Sequence, residues 1–462
     1  MEQRRNLHLM VSLFLYQLGS LMVLPSITDI LMGALCPGQH ECGLVIYLAG
    51  FQQAIAGMGN LIVTPLVGCL ADAFDIKPLL TIPMSIGIFP SAILACSQSK
   101  QFVIAYYLAK TLTSIICDGS IICLSLVYVA DNTSEGGRAT AFGLLSGTSS
   151  CAFVCATLAS RFLSRASAFQ LSTLLGAIAL LYMRFLLPEV PVVPVPTASI
   201  IAETGATASP EMVGERKTRR FRRFMGTKKE TLLRSRSHDH ASHLPFRSFT
   251  QLHDLISMWT SSSSFSQASG IAFLVSLGDS GLHSTLLYYL RAQYQFGKDQ
   301  FAELMLINGI AGAVSQLFIM PILAAYVGEE RLLSVGLFAN CVHAFLYALA
   351  WTNWVPYVAA FFGLMIVMVH PCIRSIVSKQ VGPDEQGKAQ GCISGICSLA
   401  NTVSPLVVTP LTALFLSAEA PFHFPGFSIM CTGLVMMAAF VQSCTMRAVP
   451  PISALSSLVV RA

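Results

Sequence analysis

Residues 67–80 read "VGCLADAFDIKPLL". A long apolar run stops at Asp72, Asp75 and Lys77 follow within a few residues, and a second apolar run starts at once. The charges are confined to one tight turn. An ionisable side chain at bilayer depth costs roughly 2.5 kcal/mol or more. A chain that crosses a membrane twice therefore keeps its charges at the turn between the crossings.

The rest of the sequence follows the same pattern. Of 462 residues, 54% are hydrophobic and 11% are charged, against about 25% charged in soluble domains. The apolar residues come in blocks of the ~20 residues that a spanning helix requires. Twelve spans are expected: 7–31, 44–71, 78–97, 102–128, 140–163 and 166–187, then 265–290, 299–326, 332–350, 354–377, 388–416 and 424–445. A membrane β-barrel would instead alternate in segments of ~10 residues. The fold class is thus an all-α membrane protein. The basic start "MEQRRNLHLM" leads into a long apolar run with no clear small-residue cleavage site, and reads as a retained first span.

An even number of spans puts both termini on one side. Placing that side in the cytoplasm puts most of the 28 lysines and arginines there, as the positive-inside rule requires. The same reading serves a plasma membrane or an endomembrane. The net charge of +5 is concentrated in one loop, so it gives no support to a nucleic-acid partner.

Four regions follow: a six-helix bundle over 1–187, a basic linker over 188–264, a second six-helix bundle over 265–446 and a cytoplasmic tail over 447–462. The linker opens with "PEVPVVPVP" and continues with "ERKTRRFRRFMGTKKETLLRSRSHDHASH", a composition expected to stay largely disordered. It reads either as a contact for anionic lipid, switchable by phosphorylation, or as a linker that fixes topology. His238, His240 and His243 read as an exposed polar stretch rather than metal ligands. Phe249, Leu252, Ile256 and Trp259 share a helical stripe, which suits an interfacial helix or an early start to the seventh span.

The two bundles echo each other. "TPLVGCLADAFDIKPLL" after the second span is matched by "MPILAAYVGEERLL" after the eighth, and "SEGGRATAFG" before the fifth by "GPDEQGKAQG" before the eleventh. A parallel repeat of this kind is a transporter design with the substrate site between the halves. Gly68 permits close helix approach, and Asp72 at a helix end is placed to accept hydrogen bonds from another helix amino terminus.

"GCLADAFDIKPLL" resembles the signature loop of the major facilitator superfamily, through Gly68, Leu70, Ala71, Asp72, Lys77 and Leu80. Ala73, Asp75 and Ile76 depart from it, standing where a basic residue, a glycine and an arginine are expected. "YVADNTSEGGRATAFGLLSG" resembles the tetracycline-efflux-like branch, which includes hippocampus-abundant-transcript-like proteins; Tyr128, Ala130, Asp131, Thr133, Glu135, Arg138, Phe142 and Gly143 carry that match. The resemblance implies a secondary transporter of two six-helix halves that rock about a central cavity. It also implies a cytoplasmic gate role for Asp72 and Lys77, beside Gly68; Asp131 and Arg138 flank the next cytoplasmic turn of that gate region and are placed to pair. The open alternative is that these charges mark the interface and set topology. The Gly-Pro pair carried by the fifth helix of many drug–proton antiporters is missing from "GLLSGTSSCAFVCATLASRF".

Charges inside the spans point to a cavity or to coupling. The fourth span holds Lys110 and Asp118. Eight residues on a straight helix separate them by about 12 Å, so they are expected to line one path without pairing directly. In the seventh span Ser276, Asp279, Ser280 and His283 form one stripe, with Asp279 and His283 one turn apart and placed to share a proton or to form a structural pair. Gln17 suits either a polar substrate or contact between helices, and His343 and His370 read as satisfied helix contacts.

The 14 cysteines lie mostly within spans and act as small apolar residues; Cys36 and Cys42 share a loop in which a disulfide is an option. No nucleotide-binding glycine loop, zinc-spaced set or Gly-x-Ser-x-Gly elbow is present. The expectation is therefore no enzyme and no cofactor or metal. The protein reads as a monomer that moves a small solute, with protons as possible co-substrate. The alternative is a transporter-like scaffold or sensor that binds without turnover.

Overall fold

The computed structural model describes residues 2–35, 43–188, 263–417 and 420–446. The expectations for the central linker, for Cys36 and Cys42 and for the tail lie outside the described residues. What is described is nearly all helical and runs as twelve spans. The first six are Glu2–Met22 continued by Leu24–Leu35, Gly43–Ala71, Ile76–Cys96, Lys100–Asp131, Arg138–Ser160 and Arg165–Leu186. The second six are Ser263–Tyr294, Lys298–Val327, Glu329–Ala348, Val355–Lys379, Gln386–Leu416 and Phe427–Thr445. Among the described residues, ten helices are long and apolar enough to cross a membrane by length and composition alone. The first and seventh spans fall short. The first is broken at Val23, and the seventh carries the Ser276–Asp279–Ser280–His283 stripe.

The breaks have a chemical cause. Proline lacks the N–H that a helix needs and disfavours helical backbone before it. Pro25 follows the break at Val23. Pro321 follows a widened π turn over Ser315–Ile319 in the eighth span. Pro371 follows the break in the tenth span, which runs as Val355–Phe361, Gly363–Ile366 and Val369–Lys379. Backbone groups freed in hydrocarbon must find new partners. Pro371 cannot donate to the Val367 carbonyl, and Gln316 Nε2 does so at 3.0 Å. Ser315 Oγ donates to the Leu364 carbonyl of the same broken span.

Each half buries its own core. Leu80, Met84, Leu124, Tyr128 and Phe142 anchor one, and Ile271, Leu333, Met368 and Val377 the other. The halves meet along two seams. At the first, the second span crosses the eleventh, where a Cβ on Gly68 would stand 2.2 Å from the Gly387 carbonyl oxygen. At the second, the fifth span packs Gly143 against Met320 and Gly147 against Leu317 of the eighth. Gly391 and Gly395 in the first seam hold the positions of Gly143 and Gly147 in the repeat, so the two seams are built alike.

Gly68→Ala is expected to force the first seam apart and to destabilise the bundle by about 1–3 kcal/mol, as overpacking does. Gly136→Ala, where an added Cβ meets nothing within 4 Å, is the control expected to leave stability unchanged. Thermal unfolding of the purified protein in detergent distinguishes the two.

Candidate functional site: an inter-half clasp and a central cavity

Asp72 closes one end of the first seam. Its Oδ1 accepts from the Gly387 backbone N–H at 2.6 Å and its Oδ2 from that of Lys388 at 2.9 Å. Residues 386–388 are the first turn of the eleventh span, whose N–H groups have no intrahelical partner. A carboxylate from one half thus caps a helix of the other, where the helix dipole favours negative charge. Arg138 makes a second bridge with the opposite polarity. It is buried, and its Nη1 donates at 2.9 Å to the Ser378 carbonyl in the last turn of the tenth span. The pairing of Arg138 with Asp131 suggested by the sequence is not what forms. Asp131 stays exposed, within electrostatic reach of Asp72, Arg138 and Asp384. Lys77 is half-buried in the first turn of the third span. Ile76, standing where the resemblance implies an arginine, is packed into the apolar core of the first half.

Two further groups act at this end, and only one of them has a signal in the sequence. Glu329, the counterpart of Asp72 in the repeat, is buried and accepts from Lys379 Nζ at 2.8 Å within its own half. Arg374 Nη1 donates to Gln390 Oε1 at 3.2 Å and to Ser394 Oγ at 3.1 Å. Aligning "GEERLL" on "ADAFDIKPLL" locates Glu329; nothing in spacing pairs it with Lys379.

A cavity of about 480 Å³ lies between spans one, four, five and eight. Tyr16, Gln17, Asp118, Ser149 and Ser150 line it from the first half, and Gly309 from the second. Gln17 and Asp118 therefore share one space. Lys110 departs from expectation: its Nζ lies 3.4 Å from Asp118 Oδ1. The distance of about 12 Å applies to the backbone, and the flexible four-carbon lysine stem closes it.

Asp279 also differs from expectation. Its partners come from other spans: Asn340 Nδ2 donates to Oδ1 at 3.0 Å, and His370 Nε2 lies 3.4 Å from Oδ2. His283 is exposed, and among the described residues it makes no hydrogen bond. His343 is buried with Nδ1 2.8 Å from the Ala359 carbonyl, a satisfied contact as expected. His370, read in the same way, is instead the histidine beside Asp279.

Burial pushes the pKa of Asp72 up from 3.8 to about 6, against the downward pull of the Lys388 and Gly387 N–H donors. A carboxyl that leaves water for this seam takes up a proton between roughly pH 4 and 6. The packed seam is therefore favoured at the acid end of that window, and this contribution is lost as pH rises through about 6. Spin labels at Ala73 and Asp384, on opposite halves, are expected to show more of the short-distance population at pH 4.5 than at pH 7.5. Asp72→Asn should flatten that dependence, and Asp72→Ala should weaken closure by ~0.5–2 kcal/mol, as loss of a helix cap does.

Comparison with known proteins agrees with this architecture. The family model described as Major Facilitator Superfamily matches residues 9–267 and 268–456. Hippocampus abundant transcript 1 protein of Homo sapiens is 24% identical over 361 residues, covering 77% of this chain and 64% of that protein. The chain thus matches less than two thirds of the length of that curated relative. Tetracycline resistance protein, class C, of Escherichia coli is 23% identical over 387 residues, covering 79% of this chain and 80% of its own. Among solved structures, the human organic anion transporter MFSD10 (TETRAN) superposes with a TM-score of 0.71 at 19% identity, covering 96% of this chain and 99% of that one. With both matched segments falling on the two six-helix halves, the chain belongs to the major facilitator superfamily, as a multi-pass membrane protein of a transporter family.

Proposed function

We propose that the protein is a secondary active transporter that moves a small organic solute by alternating access. The observation that carries this reading is the Asp72 clasp. It joins the halves at one end through two backbone hydrogen bonds and no covalent link, so it breaks when the halves rock apart. The cavity of about 480 Å³ falls within the ~300–1,000 Å³ typical of small-molecule sites. Its Gln17, Asp118 and serine lining suits a polar solute. Lys110 holds Asp118 in place and competes with a cationic group of the solute for it. Gly68, Asp72, Lys77, Asp131 and Arg138 form the gate region, which the positive-inside rule puts in the cytoplasm with both termini. The protein acts without a catalytic step and as a monomer, and the central loop contacts anionic lipid.

Protons drive the cycle in this reading, through Asp279 and His370. A carboxylate and an imidazole from different spans share a proton in one arrangement and separate in another, which couples protonation to helix movement. A second reading, a scaffold or sensor that binds without turnover, draws on Ile76. With an apolar residue in the core where the signature loop has a cation, the gate relay is incomplete.

Uptake and efflux of a metabolite and drug panel in proteoliposomes, with and without an imposed proton gradient, separate these readings. Gradient-dependent flux is expected, lost by at least about tenfold in Asp279→Asn and in His370→Gln, each removing one partner of the pair. His283→Gln is expected to leave flux unchanged. Absence of flux for every compound, from folded protein, supports the scaffold reading; flux that ignores the gradient, or persists in both variants, removes protons from the mechanism.

A further inference from the structure

A larger space than the central cavity lies beside it. A groove of about 1190 Å³ runs between the first and fifth spans, with Leu317 of the eighth at its side. Leu7, Met10, Phe14 and Leu144 make its bed apolar. On the fifth span its lining runs from Gly137 to Cys151, a length of about 21 Å at the helical rise. One leaflet of a bilayer, headgroups included, is about half of ~40–45 Å. The groove is therefore as long as one lipid is deep.

Its charged and most of its polar lining lies at the clasp end, with Thr148 further along the fifth span. Arg4 is exposed there, and among the described residues it makes no ion pair or hydrogen bond. Asn6 is 8% exposed and lines the same end. Its Nδ2 donates to Thr133 Oγ1 at 3.0 Å, which leaves Oδ1 buried without a hydrogen-bond partner. A buried acceptor left unpaired is costly; Oδ1 itself is closed to solvent, so a headgroup donor reaches it only as the Asn6 side chain turns toward the groove.

We propose that this groove holds a membrane phospholipid, its acyl chain along Phe14 and Leu144, its phosphate at Arg4 and a headgroup donor at Asn6 Oδ1. The charge selects an anionic headgroup, and the acceptor selects one bearing an ammonium N–H or a hydroxyl. Phosphatidylserine meets both requirements; phosphatidylcholine, whose quaternary ammonium has no N–H, meets neither. The site is separate from the central cavity and does not depend on transport.

The test is native mass spectrometry of the full-length, delipidated protein in detergent, titrated with phosphatidylserine or phosphatidylcholine. The wild type is expected to retain phosphatidylserine about fivefold more tightly, the preference that one basic residue near the headgroup confers. Leu144→Trp, which fills the bed, should lose the retained lipid at an unchanged elution volume. Arg4→Gln alters only an exposed side chain and should equalise the two lipids; it decides the matter if Leu144→Trp does not fold. Equal retention of both lipids by the wild type overturns the proposal, as does an undiminished preference in Arg4→Gln.

Discussion

In hydrocarbon there is no water to accept a hydrogen bond, so every backbone group that a helix releases must be taken up by protein. This constraint decides where spans interrupted by proline can sit. Pro371 frees the Val367 carbonyl, and Gln316 takes it. Gln316 reaches it from the π turn next to Pro321, and its own Oε1 accepts from Ser150 of the fifth span at 3.0 Å. Two helix defects thus satisfy each other, and the residue that joins them also touches the opposite half. π turns are frequent at functional sites, and this one lies on a seam that must slip if the halves move.

The two seams are alike in their glycines and different in their charges. In the first, Asp72 reaches across to cap a helix of the other half. In the second, the equivalent Glu329 turns back to Lys379, and the crossing bond is made by Arg138 on the Ser378 carbonyl. One bridge puts an anion on a helix start, the other a cation on a helix end, and both senses agree with the helix dipole. Neither is a paired salt bridge. A pair of buried opposite charges is hard to separate because each is left uncompensated. A charge on a helix terminus, at the water-facing end of the bundle, is exchanged for water at far lower cost. In the proposed cycle, that lower cost is what lets the clasp open.

Span positions were legible in the sequence because bilayer thickness imposes one length on every crossing. The Asp72 loop was legible because charge between two apolar blocks has few other meanings. The partners of the membrane charges were not legible. Spacing along one helix ranks neighbours on that helix, so it set Asp279 beside His283; the fold offers it Asn340 and His370 from two other spans. For Lys110 and Asp118 the same reasoning failed in the other direction. It measured backbone separation and left out the reach of the lysine side chain, which brings Nζ to 3.4 Å from the carboxylate.

These charges also differ in what they are free to do. Asp118 is 52% exposed, and among the described residues its one ion pair is to Lys110 on the same helix, so relative movement of spans leaves that pair intact. Asp279 is held by side chains from spans nine and ten, and any shift of the broken tenth span alters its contact with His370. A group whose partners ride on different helices senses conformation, whereas one whose partner rides on its own helix does not. That difference assigns Asp118 to the solute and Asp279 to the coupling in the proposed cycle. It also gives the tenth span's break a use: a short rigid segment, Val369–Lys379, carries His370 near one end and the Ser378 carbonyl that Arg138 grips near the other. In the proposed cycle, movement at the clasp is thereby delivered to Asp279 along a single helix.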